Sequence, residues 1–120
     1  MRTVNYEPLS PLHFLERSAF TFPDKTAVIY SDQQTTYSQL KDRVRRLATA
    51  LRRQGVEKGD KVAFLCPNTP PMLEAHYGVP LLSAVLVPIN IRLSPQEIAY
   101  ILKDSGSKFL FVDTEFSGAI

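Results

Sequence analysis

The chain has 120 residues, 44% hydrophobic and 22% charged, with a formal net charge of +2. That balance suits one globular domain or part of one, and so small a net charge gives no reason by itself to expect nucleic acid or an acidic membrane as partner. The single cysteine, Cys66, excludes an internal disulfide and suits a reducing compartment, so a cytoplasmic setting is expected.

Residues 1–9 (MRTVNYEPL) lack the apolar run of a secretory leader. Ser10 and Pro11 read as an N-cap followed by proline at the first helical position. Leu12, Leu15 and Ala19 then recur at helical spacing, which predicts a helix over 11–21. Phe22-Pro23-Asp24-Lys25 is a turn. The β-rich TAVIY over 26–30 and the segment 34–37, separated by Ser31 and Asp32, predict a hairpin. Ser38 is the expected cap of a long helix that runs to Gln54 and stops at Gly55, a C′ glycine. Its apolar face is Leu40, Val44, Leu47, Ala48 and Leu51; Lys41, Arg43, Arg45, Arg46, Arg52 and Arg53 lie opposite.

Gly59-Asp60 opens a strand over 61–65. Residues 67–71 form a turn into a helix over 72–83, where Pro80 removes a backbone donor and predicts a kink or an early stop. Residues 84–89 are a short apolar strand of the kind buried on both faces. The longest apolar stretch, 78–91, contains Pro80 and Pro88 and falls short of the roughly 20 residues a membrane span needs. Ser94-Pro95-Gln96-Glu97 is a capping box with proline at N1, opening a helix with Ile98, Ile101 and Leu102 on its apolar face. KFLFVD over 108–113 is the last strand. From Lys61 onward the order is β-α-β-α-β, which predicts an α/β fold with a parallel unit over about 61–113 and right-handed crossovers. The helix, hairpin and long amphipathic helix before it need not join the same sheet. The chain stops at Ile120 as a new segment begins, and truncation is the expectation.

A βαβαβ unit invites a nucleotide-binding reading, and the first βα turn tests it. Dinucleotide folds place glycines there so that backbone N–H groups reach the pyrophosphate. Here the turn is Cys66-Pro67-Asn68-Thr69-Pro70-Pro71, and its three prolines lack those donors. That argues against a glycine-rich dinucleotide site, and the sequence has no Walker loop. His13, His76 and Cys66 share no zinc-like spacing. There is no Gly-x-Ser-x-Gly elbow and no local carboxylate pair for acid–base work. The basic helix 41–53 is open to two readings: a nucleic-acid or anionic-lipid face, or a solvated face paired with acids elsewhere. The second is favoured, because no aromatics lie between the charges.

Several segments resemble, in order and spacing, the N-terminal part of the acyl-adenylate-forming superfamily of acyl-CoA synthetases, adenylation domains and luciferases. They are FPDKTAV (22–28), TYSQL (36–40), Arg46-Leu47-Ala48 with Leu51, and GVEKGDKVA (55–63). Pro67-Asn68, AVLVPINIRL (84–93) and EIAYIL (97–102) follow. NYEPLSPL (5–12) and MLEAHYGVP (72–80) are similar to fatty-acyl and other carboxylate–CoA ligases rather than to peptide-synthetase domains.

The resemblance implies the N-terminal portion of an acyl-CoA synthetase-like large domain, divided between two sheet subdomains at about 1–60 and 61–120. It implies a parent enzyme that uses ATP, Mg²⁺ and CoA. A carboxylate attacks the α-phosphate to give an acyl-adenylate, and the CoA thiol then displaces AMP. In such relatives the lysine-containing loop, the adenine-binding segments and the catalytic lysine follow the region seen here. No catalytic residue is carried over, and these 120 residues alone are expected to be inactive. In CoA-forming relatives the loop after the second parallel strand approaches the CoA nucleotide. Here that loop makes Asn90 and Arg92 candidate CoA contacts, with Arg92 a charge-assisted phosphate donor. The alternative is that Arg92 pairs within the fold. His76 is either a wall of the acid pocket or a packing residue. A fragment with uncovered sheet surface is expected to self-associate. Two other function classes remain open: a non-catalytic protein-binding module, and a nucleic-acid-binding domain using the basic helix.

Overall fold

The computed structural model describes residues 8–120; the Asn5-Tyr6-Glu7 part of the resemblance lies outside the described residues. Ser10 is extended, and its Oγ accepts from the Leu12 amide at 3.3 Å, opening helix α1, Pro11–Thr21. Strands β1 (Thr26–Tyr30) and β2 (Gln33–Thr36) form an antiparallel hairpin that is a sheet of its own.

Helix α2, Tyr37–Arg53, starts earlier than a Ser38 cap requires. Thr36 is the cap. Its Oγ1 accepts from the Gln39 amide at 3.2 Å, while Gln39 Oε1 accepts from the Thr36 amide at 2.9 Å. A reciprocal box needs Glu or Gln three residues after the cap; Ser38 has Lys41 there, so Thr36 wins. Gly55, at φ 93°, closes the helix in the left-handed region.

Strand β3 is Lys61–Leu65. Helix α3, Pro70–Gly78, begins within the expected turn, because the first helical positions need no N–H and accept Pro70 and Pro71. It stops before Pro80, as the missing donor requires, and a 3₁₀ turn Pro80–Leu82 leads to β4, Val85–Pro88. Helix α4, Pro95–Ser105, carries the expected capping box, with Ser94 and Glu97 bonded reciprocally. Strand β5, Phe109–Val112, is followed by a 3₁₀ segment, Thr114–Ala119.

The three later strands form one parallel sheet in the order β4-β3-β5. β3 is the middle strand, and its alternation builds two cores. Val62 and Phe64 pack with Leu51, Met72, Ala75 and Val79 on the face covered by α2 and α3. Ala63 and Leu65 pack with Ile89 and Ile98 on the face covered by α4. β4 departs from the expectation of a strand buried on both faces: Val85 is 48% exposed. Its composition suits a buried strand, but β3 takes the middle place, and β4 has one neighbour among the described residues.

A third core, of Leu15, Leu40 and Val44 with Val28 and Tyr77, seats α1 and the hairpin on α2. Helix α2 thus packs on the hairpin through its first half and on the parallel sheet through Leu51. Arg43 of α2 is ion-paired with the buried Glu74 of α3, which joins the two helices. The radius of gyration is 16.3 Å, against about 13.6 Å expected for a compact domain of this length.

Candidate functional site

The chain leaves β3 for α3 on one face of the sheet and leaves β4 for α4 on the other. A crevice opens between the carboxyl ends of β3 and β4, bounded by the two loops that leave the sheet there. A cavity of about 560 Å³ lies there, walled by Cys66 and Asn68 after β3, Met72 and His76 on α3, and Asn90 and Arg92 after β4. Three residues singled out from the sequence, His76, Asn90 and Arg92, meet in this one place.

Their local bonds differ. His76 Nδ1 lies 2.7 Å from the Met72 carbonyl oxygen. A carbonyl only accepts, so Nδ1 carries the hydrogen and Nε2 is left for a ligand. Asn90 Oδ1 accepts from the Arg92 backbone amide at 3.0 Å, an Asx turn that shapes the loop. The Arg92 side chain is exposed, and its guanidinium has no ion pair or hydrogen bond among the described residues. It is the Arg92 amide, not its charge, that ties the loop together.

A second cavity, of about 610 Å³, adjoins the first and shares Asn68, Met72 and His76 with it. Its remaining walls are largely apolar, including Val28 and Ile29 of β1 and Leu73 and Tyr77 of α3. His76 stands on the ridge between an apolar groove and a polar crevice. Asn68, three residues after β3, was named in the sequence only as part of the turn and of the resemblance and not as a site residue. Cys66 is buried, and its Sγ–H donates to the Pro67 carbonyl at 3.2 Å.

The start of α3 offers no anion cradle. Pro70 and Pro71 have no amide hydrogen, and the amides of Met72 and Leu73 both donate to the Thr69 carbonyl, at 3.0 and 3.3 Å. At the opposite end of the sheet, Asp60 accepts from Lys108 Nζ at 2.7 Å and from the Glu57 amide at 2.9 Å. The hydrogen bond from Lys108, then that from the Glu57 amide, hold the Asp60 carboxyl below its ordinary range, and the same pair holds Lys108 above its own. Among the described residues no group of three or more His, Cys, Asp or Glu is placed to hold a metal ion.

The family model described as AMP-binding enzyme matches residues 15–119. The chain belongs to the AMP-binding enzyme family. A 4-hydroxybutyrate–CoA ligase of Metallosphaera sedula is 49% identical over 115 residues, covering 96% of this chain and 21% of that protein. A peroxisomal acetate/butyrate–CoA ligase of Arabidopsis thaliana is 45% identical over 113 residues, covering 94% of this chain and 20% of that protein. The crystal structure of an anthranilate CoA ligase in complex with anthranoyl-AMP superposes with a TM-score of 0.87 at 31% identity, covering 91% of this chain and 21% of that one. The chain thus spans about a fifth of the length of the relatives it matches. Its α/β fold with a parallel sheet is that of the N-terminal region of AMP-binding enzymes, and the family membership accounts for the ordered motifs from Phe22 to Leu102.

Proposed function

We propose that these residues form the N-terminal part of an ATP-dependent carboxylic acid–CoA ligase that works through an acyl-adenylate, and that they supply one wall of its ligand crevice without catalysing either half-reaction alone. The observation that carries this reading is the unpaired Arg92 guanidinium, standing with Asn90 and His76 around one cavity at the carboxyl ends of β3 and β4. A cation with free donors, exposed at the carboxyl end of a parallel sheet, suits a phosphate of a CoA-like ligand. In this reading Asn90 orients the loop, Arg92 meets the phosphate, and His76 presents Nε2 toward the bound acid. Among the described residues no group of three or more His, Cys, Asp or Glu is placed to hold Mg²⁺.

The reading includes two sheet subdomains dividing near residue 60, with α2 bridging them; the separate sheets support it. It includes self-association of the isolated chain, which the half-exposed Val85 and the partly exposed Phe111 on the outer strands support. It includes a cytoplasmic setting, which the lone free cysteine supports; no described helix is long and apolar enough to cross a membrane.

Calorimetric titration of CoA into the purified 120-residue chain tests the site. Arg92→Gln should weaken CoA about ten- to a hundredfold, the range for losing a hydrogen bond to a charged group. Acid-dependent ATP–pyrophosphate exchange should be undetectable with the chain alone. Equal CoA binding by both forms would overturn the role of Arg92, and measurable exchange would overturn the fragment reading.

A further inference from the structure

Helices α1 and α2 lie side by side and present one continuous outer face. Glu16 of α1 joins them, meeting Lys41 Nζ at 2.6 Å and Arg45 at 3.4 Å. Along α2, Arg45, Arg46, Thr49 and Arg53 wall a shallow surface groove. The arginines from Arg45 to Arg53 span about 12 Å of helix axis. Arg52 and Arg53 are exposed and carry no ion pair among the described residues, and Arg46 is 81% exposed even while meeting Asp42 at 3.0 Å. The face holds the cations Arg17, Lys41, Arg45, Arg46, Arg52 and Arg53 against the acids Glu16 and Asp42, on a chain whose formal net charge is only +2. Its charge is therefore concentrated, not spread.

The same face carries an apolar feature. Phe20 lies one helical turn beyond Glu16, the α1 residue that pairs with α2, and it is 88% exposed. Phe14 is exposed too, but it lies about 160° around α1 from Glu16, away from this face, and the Phe22 ring lies under Lys25 Nζ at 5.5 Å. Arginines flanked by an outward phenylalanine meet two chemistries at once: anionic headgroups and the acyl boundary beneath them. A nucleic-acid duplex satisfies the arginines but offers Phe20 nothing.

We propose that this α1–α2 face docks on an anionic phospholipid surface, as a peripheral contact with no part of the chain crossing the bilayer. The cavity at the carboxyl ends of β3 and β4 plays no part in this contact, since none of its wall residues lies on α1 or α2.

Co-sedimentation of the 120-residue chain with phosphatidylcholine vesicles, with and without phosphatidylglycerol, tests it; far-UV circular dichroism confirms that each variant is folded. Binding should require phosphatidylglycerol and weaken with added salt. Each arginine near such a surface contributes about fivefold, so Arg46→Gln with Arg53→Gln should weaken binding about 25-fold. Phe20→Ser should weaken vesicle binding about tenfold, through lost apolar burial, and leave any binding to duplex DNA unchanged. Three results would each overturn the proposal: no binding to either vesicle, equal binding to both, or a double arginine variant that binds as the parent does. Duplex DNA held more tightly than vesicles at the same salt, with Phe20→Ser without effect on either, would assign the face to a polyanion instead.

Discussion

Gly78 sets how closely α3 approaches α2, and Gly78→Ala measures that closeness. A Cβ at residue 78 would lie 2.8 Å from Leu47 Cδ2, 3.1 Å from Cγ and 3.4 Å from Cβ. Real Cβ atoms essentially never show the first distance and seldom the second; the third is ordinary contact. Rotating Leu47 about χ2 moves only the first of these atoms, so the two helices must separate by a few tenths of an ångström. Overpacking of this kind costs about 1–3 kcal/mol. The backbone of Gly78 is not in the left-handed region, so alanine also gains roughly 0.5–1 kcal/mol of helical preference. The net expectation is a loss of about 1–2 kcal/mol, read as a lower urea midpoint at unchanged slope. Leu47→Ala removes Cδ2 and Cγ and leaves Cβ at an ordinary contact distance, so Gly78→Ala made in that background should be neutral or stabilising. A single Gly78→Ala variant as stable as the parent, or a cost undiminished without Leu47, would refute the close-approach argument.

Two further outcomes follow from single contacts. The Asp60 carboxyl is held low, by the Lys108 hydrogen bond first, so its contribution to stability is present above its unfolded value of about 3.9 and is lost as pH falls through the lower folded value. Lys108 is held high by the same bond, so its contribution is present below about 10.4 and is lost as pH rises through the higher folded value. Melting temperatures of Asp60→Asn and parent should converge in strong acid and strong alkali and differ between; a difference constant across that range would remove the pair from the stability of the fold. Ser94 caps α4, and Ser94→Ala should cost about 1 kcal/mol in urea denaturation; an unchanged midpoint would show that the cap adds nothing.

What the sequence reveals here is whatever is decided within a few residues. The Ser94–Glu97 box, the Gly55 stop and the break at Pro80 are local, and each is found as expected. The α2 cap was displaced from Ser38 to Thr36 by a contest between two neighbouring hydroxyls, settled by which has a glutamine three residues on. Strand position is not local. β4 is as apolar as a central strand, yet it lies outside β3, and only the order β4-β3-β5 reveals that. For the same reason the sequence could name His76, Asn90 and Arg92 separately without placing them together. Their meeting depends on α3 and α4 leaving by opposite faces, a property of the sheet as a whole.

The helix starts that follow β3 and β4 bear on the proposed role of Arg92. Nucleotide-binding sheets hold phosphate with free amides at a helix N-terminus. Here α3 opens with two prolines, and its next two amides are spent on Thr69. α4 opens with proline, and the Glu97 carboxylate bonds both the amide and the hydroxyl of Ser94. Those bonds hold the Glu97 carboxyl below its ordinary range, so an anion fixed by the chain itself already occupies the positive end of α4. With both starts closed, Arg92 is the one Lys or Arg among the residues that wall the cavity. An anionic ligand in this crevice therefore depends on a flexible guanidinium set by the Asn90 turn, and Asn90 acts on it by fixing where the loop points. Loss of the Asn90 side chain should then weaken CoA less than loss of Arg92 does.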